Sequence, residues 1–216
     1  MSVKNRLEEI QNRIDRAAQI SGRSISDVTL IAVSKTQPIE SLWEAYDAGC
    51  RNFGESRLQE ALPKIEALPK DVIWHFIGNL QSNKAKRIAS CFPFVHTFCK
   101  ETQICEAEKA EGPIQAFIEV NIASESQKSG LKPEELDGFH MKLLKSKNVH
   151  FNGLMTIGPA GLDPEAMRPF FKELRAMAEK LGAKSISMGM SDNFEVAIQE
   201  GASHVRVGTA IFGSRN

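Results

Sequence analysis

The sequence predicts a single α/β domain built as a closed (β/α)8 barrel of the TIM type, preceded by one extra N-terminal helix. Segments with the pattern of a buried strand alternate with amphipathic helical segments about eight times, as in parallel sheets with helical crossovers. No shift in composition marks a linker, so residues 1–216 are expected to form one domain. Eight such units in 216 residues favour closure of the sheet over an open, doubly wound arrangement.

The expected strands are short apolar runs rich in β-branched and aromatic residues, typical of strands covered on both faces. They are residues 30–34, 51–54, 72–78, 94–98, 114–122, 149–157, 184–187 and 204–207. The expected helices repeat apolar residues at three- and four-residue spacing. They are residues 3–21, 39–48, 58–68, 82–89, 101–110, 133–144, 165–181 and 192–199, with a short helix after residue 208. The first helix is expected to fill the outer ring where little chain remains after the last strand.

Composition narrows the classes of function that the chain can serve. Lys and Arg number 27, as do Asp and Glu, so no basic field favours nucleic acid or an anionic membrane. The four cysteines form no CxxC pair and no zinc spacing with histidine, so free thiols and no metal site are expected. The charged N-terminus lacks a signal-peptide core, and no apolar run is long enough to span a membrane. We therefore expect a cytoplasmic protein.

Lys35 is the first candidate functional residue, because it stands at the mouth of the first buried strand. Functional groups of such barrels lie at the C-terminal ends of the strands. Burial disfavours the ammonium form, and the free amine can attack a carbonyl to form a Schiff base. The alternative is a lysine whose ammonium reaches water along its stem. Taken alone, this stretch favours the alternative, and the rest of the chain shifts the balance.

Two glycine-containing loops supply a second feature. Residues 188–192 follow the seventh expected strand and residues 207–210 follow the eighth, and each loop leads into a helix. Glycine lets a ligand approach the backbone, and a helix N-terminus offers unpaired N–H groups. Ser191 and Thr209 add hydroxyl donors. Barrels of this type often bind phosphate at these two loops, whereas ordinary loop glycines with an N-capping serine are the alternative.

Arg206 lies two residues before Gly208 on the last expected strand, so both residues face the same side. An inward arginine would stand near a ligand, whereas an outward one would pair with a helix carboxylate. A Schiff-base lysine, a phosphate site and an arginine at one barrel mouth indicate a phosphorylated aldehyde. Two ligands fit this description: pyridoxal 5′-phosphate (PLP), or a sugar phosphate handled by an aldolase.

Three other residues have simpler explanations. His75 is expected to be a packed structural histidine, because no second ligand or base stands beside it in the sequence. Met155 and Met190 are typical of core packing. Both stand at strand ends, however, so contact with a bound ring is also compatible with their positions.

Several motifs occur together and in order along the chain. The longest is Trp74-His75-Phe76-Ile77-Gly78-Asn79-Leu80-Gln81-Ser82-Asn83-Lys84. The shorter ones are Ala32-Val33-Ser34-Lys35-Thr36, Phe53-Gly54-Glu55, Lys128-Ser129-Gly130, Gly153-Leu154-Met155-Thr156-Ile157, Gly189-Met190-Ser191-Asp192 and Arg206-Val207-Gly208-Thr209-Ala210-Ile211-Phe212-Gly213. From the leading helix to the C-terminus, the sequence closely resembles the pyridoxal phosphate homeostasis proteins. These are small cytoplasmic PLP-binding proteins with an alanine-racemase-like barrel, the type III fold of PLP proteins.

The resemblance implies PLP as the cofactor, a Schiff base on Lys35, and a phosphate site at the last two loops. It also implies that Arg206 faces the pyridine nitrogen. The expected cofactor-binding residues are then Lys35, Ser191, Arg206, Gly208, Thr209, Met190 and Met155. One position departs from the family pattern: Ser56 stands where the family commonly has asparagine. A contact from that amide near the ring is therefore not carried over to this chain.

The resemblance also implies a role in intracellular PLP homeostasis, by buffering or delivery, without catalytic turnover. An arginine cannot give the pyridine nitrogen a proton, so the ring stays a weaker electron sink than beside an aspartate. Alanine-racemase-type enzymes add a second β domain and a tyrosine acid/base, whereas this chain stops soon after the barrel and has only Tyr46. We expect a monomeric carrier whose partners are PLP and PLP-requiring apoenzymes. A PLP-dependent racemase, weak racemase-type activity and a cofactor-free aldolase remain alternatives.

Overall fold

Eight parallel strands close into a barrel, which confirms the fold class that the sequence predicts. The computed structural model describes residues 2–125, 127 and 129–213. The strands are β1 (Thr29–Val33), β2 (Asn52–Glu55), β3 (Ile73–Phe76), β4 (Phe94–Phe98), β5 (Ile114–Glu119), β6 (Val149–Met155), β7 (Ser185–Met190) and β8 (His204–Val207). Each strand pairs in parallel with the next one along the chain, and β8 pairs with β1. Met1 and residues 214–216 of the expected single domain lie outside the described residues.

Helices connect the strands and form the outer layer of the barrel. They are α1 (Val3–Ile20), α2 (Ile39–Asp47), α3 (Leu58–Ala67), α4 (Ser82–Ala89), α5 (Glu101–Ala107), α6 (Leu136–Leu143), α7 (Arg168–Lys180), α8 (Phe194–Gln199) and α9 (Thr209–Phe212). Short 3-10 turns at Ile25–Asp27, Pro133–Glu135 and Glu165–Met167 precede β1, α6 and α7. In the part of the chain that the structure describes, no helix combines the length and the apolar character that crossing a bilayer requires.

The leading helix α1 closes the outer ring near the end of the chain, as the sequence predicts. Its start is capped by the Ser2 hydroxyl, which accepts a hydrogen bond from the Asn5 backbone N–H. Its apolar face packs against α8 and α9. Arg6 Nε donates to the carbonyl of Ile211 over 2.6 Å, which satisfies an orphan carbonyl at the C-terminal end of α9. The first helix thus supports the two short helices that follow the last strands.

Strands β5 and β6 are shorter than their apolar runs predict. The runs reach residues 122 and 157, whereas the paired strands end at Glu119 and Met155. At the end of β5 the reason is a pairing with a later segment, because the backbone N–H of Asn121 donates to the carbonyl of Leu131 over 2.8 Å. This bond draws the chain away from the barrel at the end of β5, so the apolar residues that follow line a loop.

A buried ion pair ties the end of β1 to β2 and α3. Lys64 Nζ lies 2.6 Å from Glu55 Oε1 and donates to the Ser34 carbonyl over 2.7 Å. The Ser34 hydroxyl donates to the same Glu55 oxygen over 2.7 Å. Glu55 and Lys64 are 0% and 6% exposed, so water screens the pair very little. These contacts hold the backbone immediately before Lys35.

The interior of the barrel contains three buried histidines. His75, His96 and His204 are 1%, 0% and 8% exposed, and their ring centroids lie 5.2–6.1 Å apart. The expectation that His75 is packed is confirmed by its stacking on Phe94, with a centroid distance of 4.6 Å. No base stands beside His75 in the sequence, but the fold places one there, because His96 Nε2 lies 3.0 Å from His75 Nδ1. Neighbouring strands bring the two rings together.

Replacing Lys64 by methionine tests the buried ion pair. Lys64→Met removes the charge and leaves the Glu55 carboxylate buried without its counter-ion. We expect the free energy of unfolding, measured by urea denaturation, to fall by about 3–5 kcal/mol. The control is Lys109→Met, which removes an exposed pair with Glu106 and should cost less than about 1 kcal/mol. Equal stabilities of the two variants would show that the buried pair does not hold this end of the barrel.

Because three histidines are buried in the barrel, we expect the free energy of unfolding to fall in mild acid. Burial lowers the pKa of His75 and His96 well below the ordinary 6.5, and lowers that of His204 to about 4. Below about pH 6.5 the unfolded chain therefore binds protons that the folded barrel does not. The stabilisation is complete above that pH and is lost as the pH falls, by up to ~1.4 kcal/mol per pH unit for each histidine.

Urea denaturation at several pH values between about 7.5 and 5.5 measures this dependence. His204→Phe removes one buried imidazole and should make the decline less steep. The control His150→Gln removes an exposed histidine, and an equal change of slope in the two variants would show that burial is not the cause. A free energy of unfolding that stays constant over this range in the unmodified protein would contradict the prediction.

Candidate functional site

A cavity of about 260 Å³ opens at the C-terminal ends of the strands. Its wall is formed by the ends of β1, β6, β7 and β8 and by the residues that follow β2 and β3. The seven residues that sequence reasoning selects all lie on this wall: Lys35, Met155, Met190, Ser191, Arg206, Gly208 and Thr209. The volume is close to the lower end of the range for small-ligand pockets, roughly 300 Å³.

Lys35 is half-buried on the cavity wall, two residues after the end of β1. Thr36 follows it in the left-handed region with φ of 64°, a conformation that is uncommon for a residue other than glycine. The Glu60 carboxylate accepts a hydrogen bond from the Thr36 backbone N–H over 3.3 Å and holds this turn. This turn and the contacts of Ser34 with Lys64 and Glu55 together fix the position of the Lys35 backbone at the end of β1.

The loops after β7 and β8 meet on the part of the cavity wall that adjoins the end of β1. The backbone N–H of Gly208 donates to the Ser191 hydroxyl over 3.3 Å, which joins the two loops directly. Gly189 has a φ of 91°, and a Cβ at that position would lie 2.6 Å from the Cβ of Ala197. Only glycine therefore fits this close approach of the β7 end to α8.

The N-terminus of α9 also contributes to this wall. Thr209 is the first residue of α9, and both Gly208 and Thr209 line the cavity. The first N–H groups of a helix have no acceptor within the helix. Backbone N–H donors at the start of this four-residue helix thus lie beside the two hydroxyls of Ser191 and Thr209, an arrangement suited to an anion.

Arg206 points into the barrel, as one of the two sequence interpretations predicts. Its Nη1 donates to the Ser187 hydroxyl over 2.6 Å and its Nη2 donates to the Thr156 carbonyl over 2.8 Å. Burial lowers the pKa of this guanidinium to about 10, and the nearby Glu119 opposes the shift. Arg206 is therefore still cationic at neutral pH. Burial raises the pKa of Glu119, whose carboxylate accepts a hydrogen bond from Ser129.

The two methionines take different places in the cavity. Met155 is 1% exposed and lies deep in the wall, whereas Met190 is 38% exposed at the rim. Met190 N donates to Asn193 Oδ1 over 2.8 Å, which fixes the turn that carries it into α8. The cavity wall thus combines apolar side chains with the amine of Lys35 and the guanidinium of Arg206.

Sequence reasoning did not select the seven other residues on the cavity wall, which are Val33, Gln37, Ser56, Ile77, Ile157, Asp192 and Gly213. Ser56 and Ile77 directly follow β2 and β3, so the rule that places function at strand ends could have found them. Lys128, which belongs to one of the motifs, lies outside the described residues. Among the residues that the structure describes, no group of three or more His, Cys, Asp or Glu side chains could hold a metal ion.

Comparison with known proteins places this chain in a family. The model of the alanine racemase N-terminal domain matches residues 6–216. A relative in Aquifex aeolicus, named pyridoxal phosphate homeostasis protein, is 39% identical over 100% of this chain and 99% of its own length. Relatives of the same name in Pseudomonas aeruginosa and Escherichia coli are 40% and 37% identical.

Solved structures agree with these matches. PipY of Synechococcus elongatus without PLP has a TM-score of 0.87 and 32% identity, covering 98% of this chain and 100% of that one. PipY with PLP bound has a TM-score of 0.83 and 31% identity over the same shares of the two chains. Alanine racemase from Corynebacterium glutamicum shares the fold at 17% identity and a TM-score of 0.70, covering 97% of this chain and 62% of that one. The chain belongs to the pyridoxal phosphate homeostasis protein family, whose barrel is the alanine racemase N-terminal domain.

Proposed function

We propose that this protein binds PLP at the barrel mouth, covalently through Lys35, and buffers or delivers the cofactor without catalytic turnover. The observation that carries the proposal is that one cavity joins Lys35, Arg206 and the linked loops at Ser191 and Gly208. The PLP-bound structure of PipY and the names of the relatives support it. The protein would act as a monomeric single domain, residues 1–216, in the cytoplasm, with PLP-requiring apoenzymes as recipients.

The residues of the cavity suit the chemical groups of PLP. When bound, PLP supplies an aldehyde whose carbon forms a C=N bond with a primary amine as water leaves. Lys35 provides that amine, and Ser191, Gly208 and Thr209 provide donors for the phosphate. Arg206, Met155 and Met190 lie on the same wall, where Arg206 would face the pyridine nitrogen as a donor and the two methionines would pack beside the ring.

Two features of the chain argue against turnover. With a pKa of about 10, Arg206 keeps its positive charge at neutral pH and disfavours a proton on the neighbouring ring nitrogen. That leaves the ring a weak electron sink. The single tyrosine, Tyr46, lies on α2, and its hydroxyl bonds the Asp71 carboxylate at 2.9 Å. A tyrosine acid/base of the racemase kind is therefore not supplied by this chain.

Replacing Lys35 tests the covalent attachment. The purified protein incubated with PLP is expected to show an absorbance band near the visible edge, which disappears in Lys35→Ala. Borohydride should reduce the C=N bond, and mass spectrometry should then find the adduct on Lys35. The control Lys86→Ala removes an exposed lysine on α4 and should keep the band. Absence of a band in the unmodified protein, or an adduct on another lysine, would refute the proposal.

The same preparations separate the alternatives. A racemase predicts loss of optical rotation from L-alanine or another amino acid, with solvent deuterium entering at Cα. An aldolase predicts borohydride trapping with a sugar phosphate and no yellow protein. The proposed carrier shows neither result.

Thr209 tests the phosphate site. Thr209→Val keeps the shape of the side chain but removes the hydroxyl, and a hydrogen bond to a charged group is worth roughly 1.5–3 kcal/mol. We expect the affinity for PLP, measured by absorbance titration, to fall about 10- to 100-fold. Affinity for pyridoxal, which lacks the phosphate, should change little, and Thr209→Ser should retain PLP binding. An equal loss for both ligands would place the phosphate elsewhere.

A further inference from the structure

A chain of hydrogen bonds runs through the interior of the barrel and ends at Arg206. Its successive members are Arg206, Ser187, His96, His75 and Asn52, and they lie on five different strands. The four links measure 2.6, 2.9, 3.0 and 3.0 Å. Arg206 is at the cavity, whereas Asn52 is the first residue of β2, at the opposite end of the barrel. The chain therefore connects the ligand end of the barrel to its base.

The chemistry of the members fixes which atom donates at each link. Asn52 presents its carbonyl oxygen, Oδ1, which only accepts, so His75 Nε2 must donate to it. Burial lowers the pKa of both imidazoles in the chain, and a neutral ring carries one proton. His75 Nδ1 therefore accepts from His96 Nε2, and His96 Nδ1 is left to accept from the Ser187 hydroxyl.

This sequence of donors decides the orientation of the Ser187 hydroxyl. Because its proton points to His96, its lone pairs remain for Nη1 of Arg206. The guanidinium then has two fixed acceptors, the Ser187 hydroxyl and the Thr156 carbonyl. Without an acceptor at His96, the hydroxyl is free to turn, and one of these two contacts loses its fixed geometry.

The residues around this chain of hydrogen bonds hold its two imidazole rings in place. His96 stacks on Phe117 with a centroid distance of 4.2 Å, and His75 stacks on Phe94 at 4.6 Å, so neither ring turns easily. Buried polar groups are costly unless they are hydrogen-bonded, and these two rings use both nitrogens. His204 is the contrast, because its hydrogen bond goes to its neighbour Ser203 and it takes no part in the chain.

We propose that Ser187, His96, His75 and Asn52 are positioning residues that set the orientation of the Arg206 guanidinium toward a PLP ring in the cavity. The proposal rests on the proposed function for the identity of the ligand. It concerns residues that touch no ligand themselves and act through Arg206.

Three variants separate positioning from simple packing. His96→Phe keeps an aromatic ring against Phe117 but removes both ring nitrogens. His96→Asn restores an acceptor for Ser187, because Oδ1 of asparagine and Nδ1 of histidine stand the same number of bonds from Cα. His204→Phe removes a buried imidazole outside the chain and serves as the control. Urea denaturation first shows that each variant is folded.

The first readout uses the protein without ligand. Side-chain 15N NMR should show faster exchange of the Arg206 N–H protons with water in His96→Phe, and slow exchange in His96→Asn, His204→Phe and the unmodified protein. The 15N shifts of the unmodified protein should place the proton of both His75 and His96 on Nε2. Protonation of His96 at Nδ1, or unchanged Arg206 exchange in His96→Phe, would overturn the proposal, and the shift measurement needs no variant to fold.

The second readout is the titration with PLP. We expect His96→Phe to weaken binding about tenfold and to shift the absorbance band, whereas His96→Asn and His204→Phe stay within about threefold of the unmodified protein. An equal loss in His96→Phe and His204→Phe would assign these residues to packing only. If the unmodified protein does not bind PLP, the proposed function fails. The NMR comparison still decides whether the chain of hydrogen bonds orients Arg206.

Discussion

Pairing of the first strand with the last is the constraint on which the whole molecule depends. The register aligns Ala32 with Val207, so the residues that follow β1 and β8 emerge side by side. Lys35 and Gly208 come from nearly opposite ends of the chain and share one cavity only because the sheet closes. An open sheet with the same strands would leave β1 and β8 at separate edges. The existence of the cavity thus depends first on the closed order of the strands and only then on particular side chains.

The two sides of the sheet meet different physical demands. Between strands and helices the packing is mainly apolar, and the Glu55–Lys64 pair that holds the end of β1 is among its buried polar contacts. Inside the barrel, imidazoles and a guanidinium replace part of the apolar filling. Such an interior gains little stability, since each polar group gives up its hydration. It does gain a fixed orientation of its side chains, because hydrogen bonds depend on direction and apolar contacts do not.

Much of the fold and part of the site could be predicted from the sequence, for identifiable reasons. Strand and helix periodicities are local, so the order of the elements follows from them. The rule that strand ends carry function led to Lys35 and to the loops at Ser191 and Gly208. The bond between His75 and His96 escaped prediction, because the stagger around a closed barrel decides which inward residues meet. Lys64 escaped it because a lysine on an amphipathic helix usually faces water.

The position of the site along the chain has a consequence for its synthesis. A nascent chain that has reached only residue 180 contains Lys35 but not the loops after β7 and β8 that complete the cavity wall. No fragment from either half of the polypeptide contains the whole wall. A ligand that contacts both Lys35 and these loops therefore binds only the closed barrel, and by mass action it adds its binding free energy to that state alone. Supply of such a ligand in the cell would then influence how much of the newly made protein stays folded.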